Sequence, residues 1–217
     1  MALILTRALR GAIATLLIAA APAHAADSTP TPRLSVGNPV AGAAWSADNV
    51  CKECHNPDGN SSVAEYPRLG GQYSAYLFKQ LQDFRDGRRK NVIMQALTQD
   101  IGDRDLADIA AHFAAQPVMT GSAAVANPQG KRLFEAGDPA RQIPACAACH
   151  GADGKGALAG KLAYPAIGGQ HRYYLRGQLQ GWKTGTRSNS PDGIMNGIAR
   201  ALGEADIEAL ADYLSGL

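Results

Sequence analysis

The sequence predicts an all-α protein made of two tandem copies of one helical unit. Three observations carry this expectation. Groups of residues recur at a nearly constant spacing: 95 at Cys51/Cys146, 98 at Tyr66/Tyr164 and 101 at Met94/Met195. The clearest periodic stretches place apolar residues at i, i+3, i+4 and i+7, one face of a helix. Strand-type alternation of apolar and polar residues is not visible anywhere.

Of the 217 residues, the first 25 belong to neither copy. Arg7 and Arg10 precede an apolar run over 11–21, and Ala23-His24-Ala25 supplies the small residues of a signal-peptidase site. Residues 1–25 are therefore expected to be a signal peptide cleaved after Ala25, with the mature protein in the periplasm. The run falls short of the roughly 20 apolar residues of a membrane span, which leaves retention as an anchor the weaker alternative. Without these two arginines the 21 basic residues become 19, matching the 19 acidic ones. A neutral chain has no bulk positive charge to attract phosphate backbones, so nucleic acid is not an expected partner. An apolar content of 46% excludes a disordered chain.

The first copy is expected over 26–118 and the second over 129–217, joined by a linker at 119–128 that overlaps the small-residue stretch VMTGSAAVAN at 118–127. Each copy reads as helix, loop, helix, loop, helix. The first helix is expected at 41–50 and again at 128–136, leading into a cysteine pair. The middle helix runs from near Tyr73 to Asp86, and its twin from near His171 to Gly185. The last carries Leu106, Ile109, Ala110 and Phe113 on one face, with Asp103 as its N-cap. Its twin carries Ile207, Leu210, Ala211 and Leu214. Between first and middle helices, Tyr66-Pro67-Arg68-Leu69-Gly70-Gly71-Gln72 recurs as Tyr164-Pro165-Ala166-Ile167-Gly168-Gly169-Gln170. Two three-residue insertions in the second copy account for the drift in spacing.

All four cysteines fall in two motifs, Cys51-Lys52-Glu53-Cys54-His55 and Cys146-Ala147-Ala148-Cys149-His150. C-x-x-C-H is the attachment signature of haem c. Two intervening residues let both thiols reach the vinyl groups of one porphyrin edge, and the following His can point at the iron. A redox disulfide or half of a zinc site would use CxxC alone, and neither requires His in the same place twice. Two covalently bound haem c groups are the expected cofactors.

The opposite side of each iron decides the chemistry. His or Met there closes a six-coordinate centre suited to electron transfer, whereas an open position permits ligand binding or peroxide chemistry. Met94 and Met195 share one repeat position, each after an Ile, and are the expected sixth ligands. Met119 has no twin and reads as core filler. His112 and His171 are unpaired by the repeat (their counterparts are Tyr213 and Tyr73) and read as surface or interface residues.

With these residues in view, the sequence resembles the dihaem cytochrome c4 family, whose halves are similar to class I cytochrome c domains. The twin CxxCH motifs, the YPxxGGQxxxYLxxQL block, the downstream Met and the final helix carry the resemblance over nearly all of the mature chain. It implies two all-helical haem domains related by a pseudo-twofold axis, with propionate edges facing the interface. It also implies that Pro67 and Pro165 accept a hydrogen bond from Nδ1 of His55 and His150, and that Leu69 and Ile167 pack on the haem faces. The implied activity is periplasmic electron transfer in a respiratory chain toward a terminal oxidase, and not enzymatic turnover. Expected partners are redox proteins, a quinol-oxidising complex or other donor and the oxidase, with peripheral association with the membrane left open. The alternatives are an electron-transfer subunit of a periplasmic oxidoreductase and a dihaem peroxidase-type enzyme. A peroxidase needs an exchangeable site that the Met pair argues against, and a sulfur-oxidising haem with a Cys ligand would need a fifth cysteine.

Two features set the halves apart. Residues 26–121 hold 9 basic and 11 acidic groups and the remainder 10 and 8, a mild dipole. The densest basic run, Arg85-Asp86-Gly87-Arg88-Arg89-Lys90, reads as a solvated turn. Its repeated Arg89, twin of Arg187, is alternatively a partner for haem propionates or an orienting contact between domains.

Overall fold

The computed structural model describes residues 33, 36–121, 127–160 and 162–217. The export segment 1–25 and residues 122–126 of the expected linker lie outside these. Among the described residues the first half folds into α1 (Pro39–Asp48), α2 (Cys51–His55), α3 (Ser74–Arg85), α4 (Val92–Thr98) and α5 (Asp103–Ala114). The second half repeats them as α6 (Pro128–Ala136), α7 (Ala147–His150), α8 (Arg172–Thr184), α9 (Ile194–Arg200) and α10 (Glu204–Ser215). No helix among the described residues is long and apolar enough to cross a membrane.

Each half begins on an Asn-Pro pair. Asn38 accepts from the backbone N–H of Val40 at 2.9 Å, and Asn127 from that of Gly130 at 3.0 Å, while the following proline starts the helix. An Asn cap satisfies amides that have no intrahelical acceptor, and proline at N1 removes one of them. α1 then crosses α5, and α6 crosses α10, at one glycine each. A Cβ on Gly42 would sit 1.9 Å from the Asp108 carbonyl oxygen, and one on Gly130 would sit 2.0 Å from that of Ala209. Only glycine permits the backbones to touch.

The crossed helices, with α3 or α8 against them, enclose a core in each half. In the first it comprises Leu77, Ile109, Ala110 and Phe113. The second is larger, with Leu133, Phe134, Leu175, Ile207, Leu210 and Leu214 among its members. Side chains expected on the inner face of the last helix are thus buried in both copies.

Four expectations need correction. Each half has extra helices: the cysteine motifs form their own turns, α2 and α7, and the methionines lie on α4 and α9 rather than in a loop. A two-stranded antiparallel hairpin, β1 (Ala157–Ala159) and β2 (Leu162–Tyr164), pairs Ala157 with Tyr164. It lies where the first three-residue insertion lengthens the second half, and strands this short are invisible to a periodicity test. In the second half α6 does not lead directly into the cysteines. A turn at Pro139–Arg141 and a bridge between Asp138 and Ile143 intervene. Finally, Gly102 occupies the N-cap of α5 and Asp103 is its first residue, where its charge still favours the positive helix end.

Candidate functional site

On α2, Cys51 and Cys54 stand three residues apart and so share a face, with His55 immediately after. In the second half Cys146 forms the N-cap of α7, which carries Cys149 and His150. All four cysteines are half-buried and unpaired. Burial pushes the Cys51 thiol above its ordinary pKa and that of Cys146 up to about 11. A redox or metal-binding cysteine needs the opposite shift, toward thiolate. No group of three or more His, Cys, Asp or Glu side chains placed to hold a metal ion exists among the described residues.

Both histidines are 8% exposed. Nδ1–H of His55 donates to the Pro67 carbonyl at 2.9 Å, and Nδ1–H of His150 donates to that of Pro165 at 2.9 Å. A carbonyl only accepts, so the ring proton must sit on Nδ1. Burial lowers both imidazole pKa values, partly opposed by the bond to the proline carbonyl. The result is a neutral ring with fixed tautomer. Among the described residues no hydrogen-bond partner reaches Nε2, the nitrogen a metal would take.

These residues line a continuous cavity of about 1110 Å³ that draws on both halves. Much of its wall is apolar, with Leu69, Ile109 and Phe113 from one half and Ile167, Leu210 and Leu214 from the other. Met94 and Met195 line the same cavity and are partly buried. Their helices start differently. The Asn91 side chain accepts from Met94 N–H at 2.9 Å, whereas Ser190 Oγ accepts from Met195 N–H at 3.3 Å. Ser190 belongs to the second insertion, and it frees Asn189, the twin of Asn91, for another task.

The remaining candidates lie elsewhere. Met119 is 1% exposed, inside the protein beneath Gln170. His112 faces the Pro57 carbonyl at 3.1 Å, and His171 reaches the Ser61 carbonyl of the other half at 2.8 Å. Neither lines the cavity.

The polar wall of the cavity is where the halves interlock. Arg89 and Arg187 are buried, which corrects the expectation of a solvated basic turn, although Arg88 in the same run is exposed. The two guanidiniums share the side-chain oxygens of Gln80 and Gln178 and reach the hydroxyls of Tyr174 and Tyr76. They lie over Phe84 and Trp182, at 4.6 and 4.1 Å from the ring centres. Tyr76, Gln80, Tyr174 and Gln178 were not singled out from the sequence. The signal was present, as polar residues that recur at identical repeat positions within a helix.

Residues 39–115 and 128–217 each match the family model "Cytochrome c". Cytochrome c4 of Pseudomonas aeruginosa is 43% identical over 189 residues, covering 84% of this chain and 90% of that one. The chain belongs to the dihaem cytochrome c4 family.

As a member of that family it carries two covalently bound haem c groups at its CxxCH motifs, in a tandem pair of cytochrome c domains, and transfers electrons rather than converting a substrate. The crystal structure of reduced recombinant cytochrome c4 from Pseudomonas stutzeri superposes with a TM-score of 0.78 at 39% identity, covering 83% of this chain and 99% of that one. A relative named thiosulfate dehydrogenase electron acceptor, from Stutzerimonas stutzeri, is 38% identical over 181 residues, covering 81% of this chain and 82% of that protein. The residues present fit the cofactor. Each half offers two thiols three residues apart, a neutral imidazole with Nε2 unengaged, and an apolar wall for a flat apolar group.

Proposed function

We propose that the protein shuttles electrons through the periplasm, from a quinol-oxidising complex or another donor to a terminal oxidase. Residues 1–25 act as the cleaved export signal, 26–118 and 129–217 form the haem domains, and 119–128 join them. Cys51 and Cys54 would hold one haem and Cys146 and Cys149 the other, with His55 and Met94 as the iron ligands of the first and His150 and Met195 as those of the second. Each haem, when bound, supplies a one-electron Fe(III)/Fe(II) couple whose potential Met ligation raises. Pro67 and Pro165 fix the ring orientation of the histidines and strengthen their donation. The apolar walls exclude water, which limits solvent rearrangement as charge changes. With His and Met both supplied by the chain, electron transfer would need no exchangeable ligand.

The observation that carries this reading is the duplication. In each half a neutral, anchored histidine and a methionine line the same apolar cavity, and the two halves repeat the set. The test is reoxidation of the purified, reduced protein by membranes containing the oxidase. Inhibitor-sensitive oxidation of both haems supports the reading, and failure of the membranes to oxidise either haem contradicts it.

A second reading is favoured by the relative that accepts electrons from thiosulfate dehydrogenase. Here the chain would serve such an enzyme as a bound acceptor. Thiosulfate-dependent reduction and co-purification at fixed stoichiometry with the dehydrogenase mark that role, whereas a free carrier purifies alone.

A further inference from the structure

Gln72 and Gln170, the last residues of the repeated YPxxGGQ blocks, each reach across to the other half. The side-chain oxygen of Gln72 accepts from Ala166 N–H at 2.9 Å, and its amide donates to the Ala166 carbonyl at 2.8 Å. Gln170 does the same to Arg68, accepting from its N–H at 2.9 Å and donating to its carbonyl at 2.8 Å. Arg68 and Ala166 are themselves twins, so the two clamps are reciprocal. Both glutamines are nearly buried, at 4% and 6% exposure. Each side-chain oxygen also accepts from the backbone N–H that follows it, Tyr73 at 3.1 Å or His171 at 3.0 Å, just before α3 and α8. That second bond fixes which end of the amide points across.

The clamped N–H groups belong to particular peptides. Ala166 N–H and the Pro165 carbonyl are two ends of one peptide unit, as are Arg68 N–H and the Pro67 carbonyl. Those carbonyls accept from Nδ1–H of His150 and His55. A continuous chain therefore runs from Gln72 through the 165–166 peptide to His150, and from Gln170 through the 67–68 peptide to His55. Hydrogen bonds in series polarise one another: a peptide whose N–H donates becomes a stronger acceptor at its oxygen. A stronger acceptor at Nδ1–H makes the imidazole a better donor at Nε2.

We infer that each glutamine is a positioning residue for the haem of the other domain, setting the donor strength of its axial histidine through one shared peptide. The inference rests on the His55 and His150 ligation proposed above. It makes each haem's potential a property of the assembled pair. Better donation stabilises Fe(III), so the intact relay lowers the potential of the haem it serves.

The test is Gln72→Met, which keeps size and shape but removes both bonds to Ala166 together with that from Tyr73 N–H, read by spectroelectrochemistry of the holoprotein with the haems resolved. The expected result is a rise in the potential of the C-terminal haem, a shift in its Fe(III)/Fe(II) equilibrium of roughly two- to fourfold, with the N-terminal haem unchanged. The Nδ1–H resonance of His150 should move upfield in the reduced protein. Gln170→Met should do the mirror image at the N-terminal haem and His55, and either variant alone suffices. No shift, a shift in the glutamine's own domain, or equal shifts in both haems would overturn the relay, the last being the mark of a loosened interface. Failure of the ligation reading is separately visible, because the ring resonances of His55 and His150 in the unmutated, oxidised protein would then lack the large shifts that binding to Fe(III) imposes.

Discussion

Arg89 and Arg187, equivalent residues of the two repeats, exchange partners across the domain interface. Nη2 of Arg89 donates to the Tyr174 hydroxyl at 2.7 Å, and Nη2 of Arg187 donates to that of Tyr76 at 3.2 Å. Every hydrogen-bond acceptor of Arg187 is neutral, and burial drives its pKa down. Burial alone would raise the Tyr76 pKa, but the guanidiniums of Arg187 and Arg89 pull it below the ordinary phenol range. Burying a charge is costly; burial works against Arg89 too, but the Tyr174 and Tyr76 hydroxyls and the Asp83 charge outweigh it and raise its pKa, and both guanidiniums line the cavity.

Arg187→Gln should therefore act on redox chemistry as well as on packing. Removing a buried cation stabilises Fe(III), so at least one midpoint potential should fall. Potentiometric titration checks this, and unchanged potentials would leave Arg187 a purely interfacial role.

Asp83 gives the interface a pH dependence. Its side chain is 2% exposed and is held by Lys79, by Arg88 at 2.7 Å and by Asn189 at 2.6 Å. Burial works to raise its pKa, but the bonds from Lys79, Arg88 and Asn189 outweigh it, and the carboxyl lies below the usual range. A depressed carboxyl contributes stability that is complete above its unfolded pKa of about 3.9 and is lost as pH falls through the lower folded value. Asp83→Asn should cost about 1–3 kcal/mol at neutral pH, since its cationic partners are half-exposed, and should flatten the acid limb. Denaturant titrations over a pH series test both effects.

Gly42→Ala and Gly130→Ala should each destabilise the protein by about 3 kcal/mol or more, because the new Cβ meets backbone that cannot step aside. Thermal unfolding of the holoprotein reads this directly. A loss below about 1 kcal/mol would mean that the helices separate easily.

Met94→Ala and Met195→Ala should each open one haem and leave the other closed. Cyanide binding at half the haem content in each variant is the expected titration. Binding at both haems in a single variant would contradict separate, domain-local ligation.

Much of this was legible in the sequence, for physical reasons. The cysteine spacing is dictated by the porphyrin edge, and the helix at 128–136 was bounded by its Asn cap side and a glycine. The Met helices were not legible. Val92–Thr98 is only 7 residues, under two turns and too short for a period to stand out, and it is begun by a side-chain cap. The hairpin was hidden because three-residue strands show no period. Repetition revealed that Gln72 and Gln170 are equivalent, but not that each grips the twin of its own neighbour. Asp83 left no trace, since its counterpart is Gly181 and nothing repeats.

Two closed His/Met centres leave a direct signature in the absorption and magnetic circular dichroism of the oxidised protein. The expected result is a Met-to-Fe(III) charge-transfer band of two-haem intensity, unaffected by cyanide or peroxide on the turnover timescale. A high-spin or peroxide-reactive iron in the unmutated protein would contradict it.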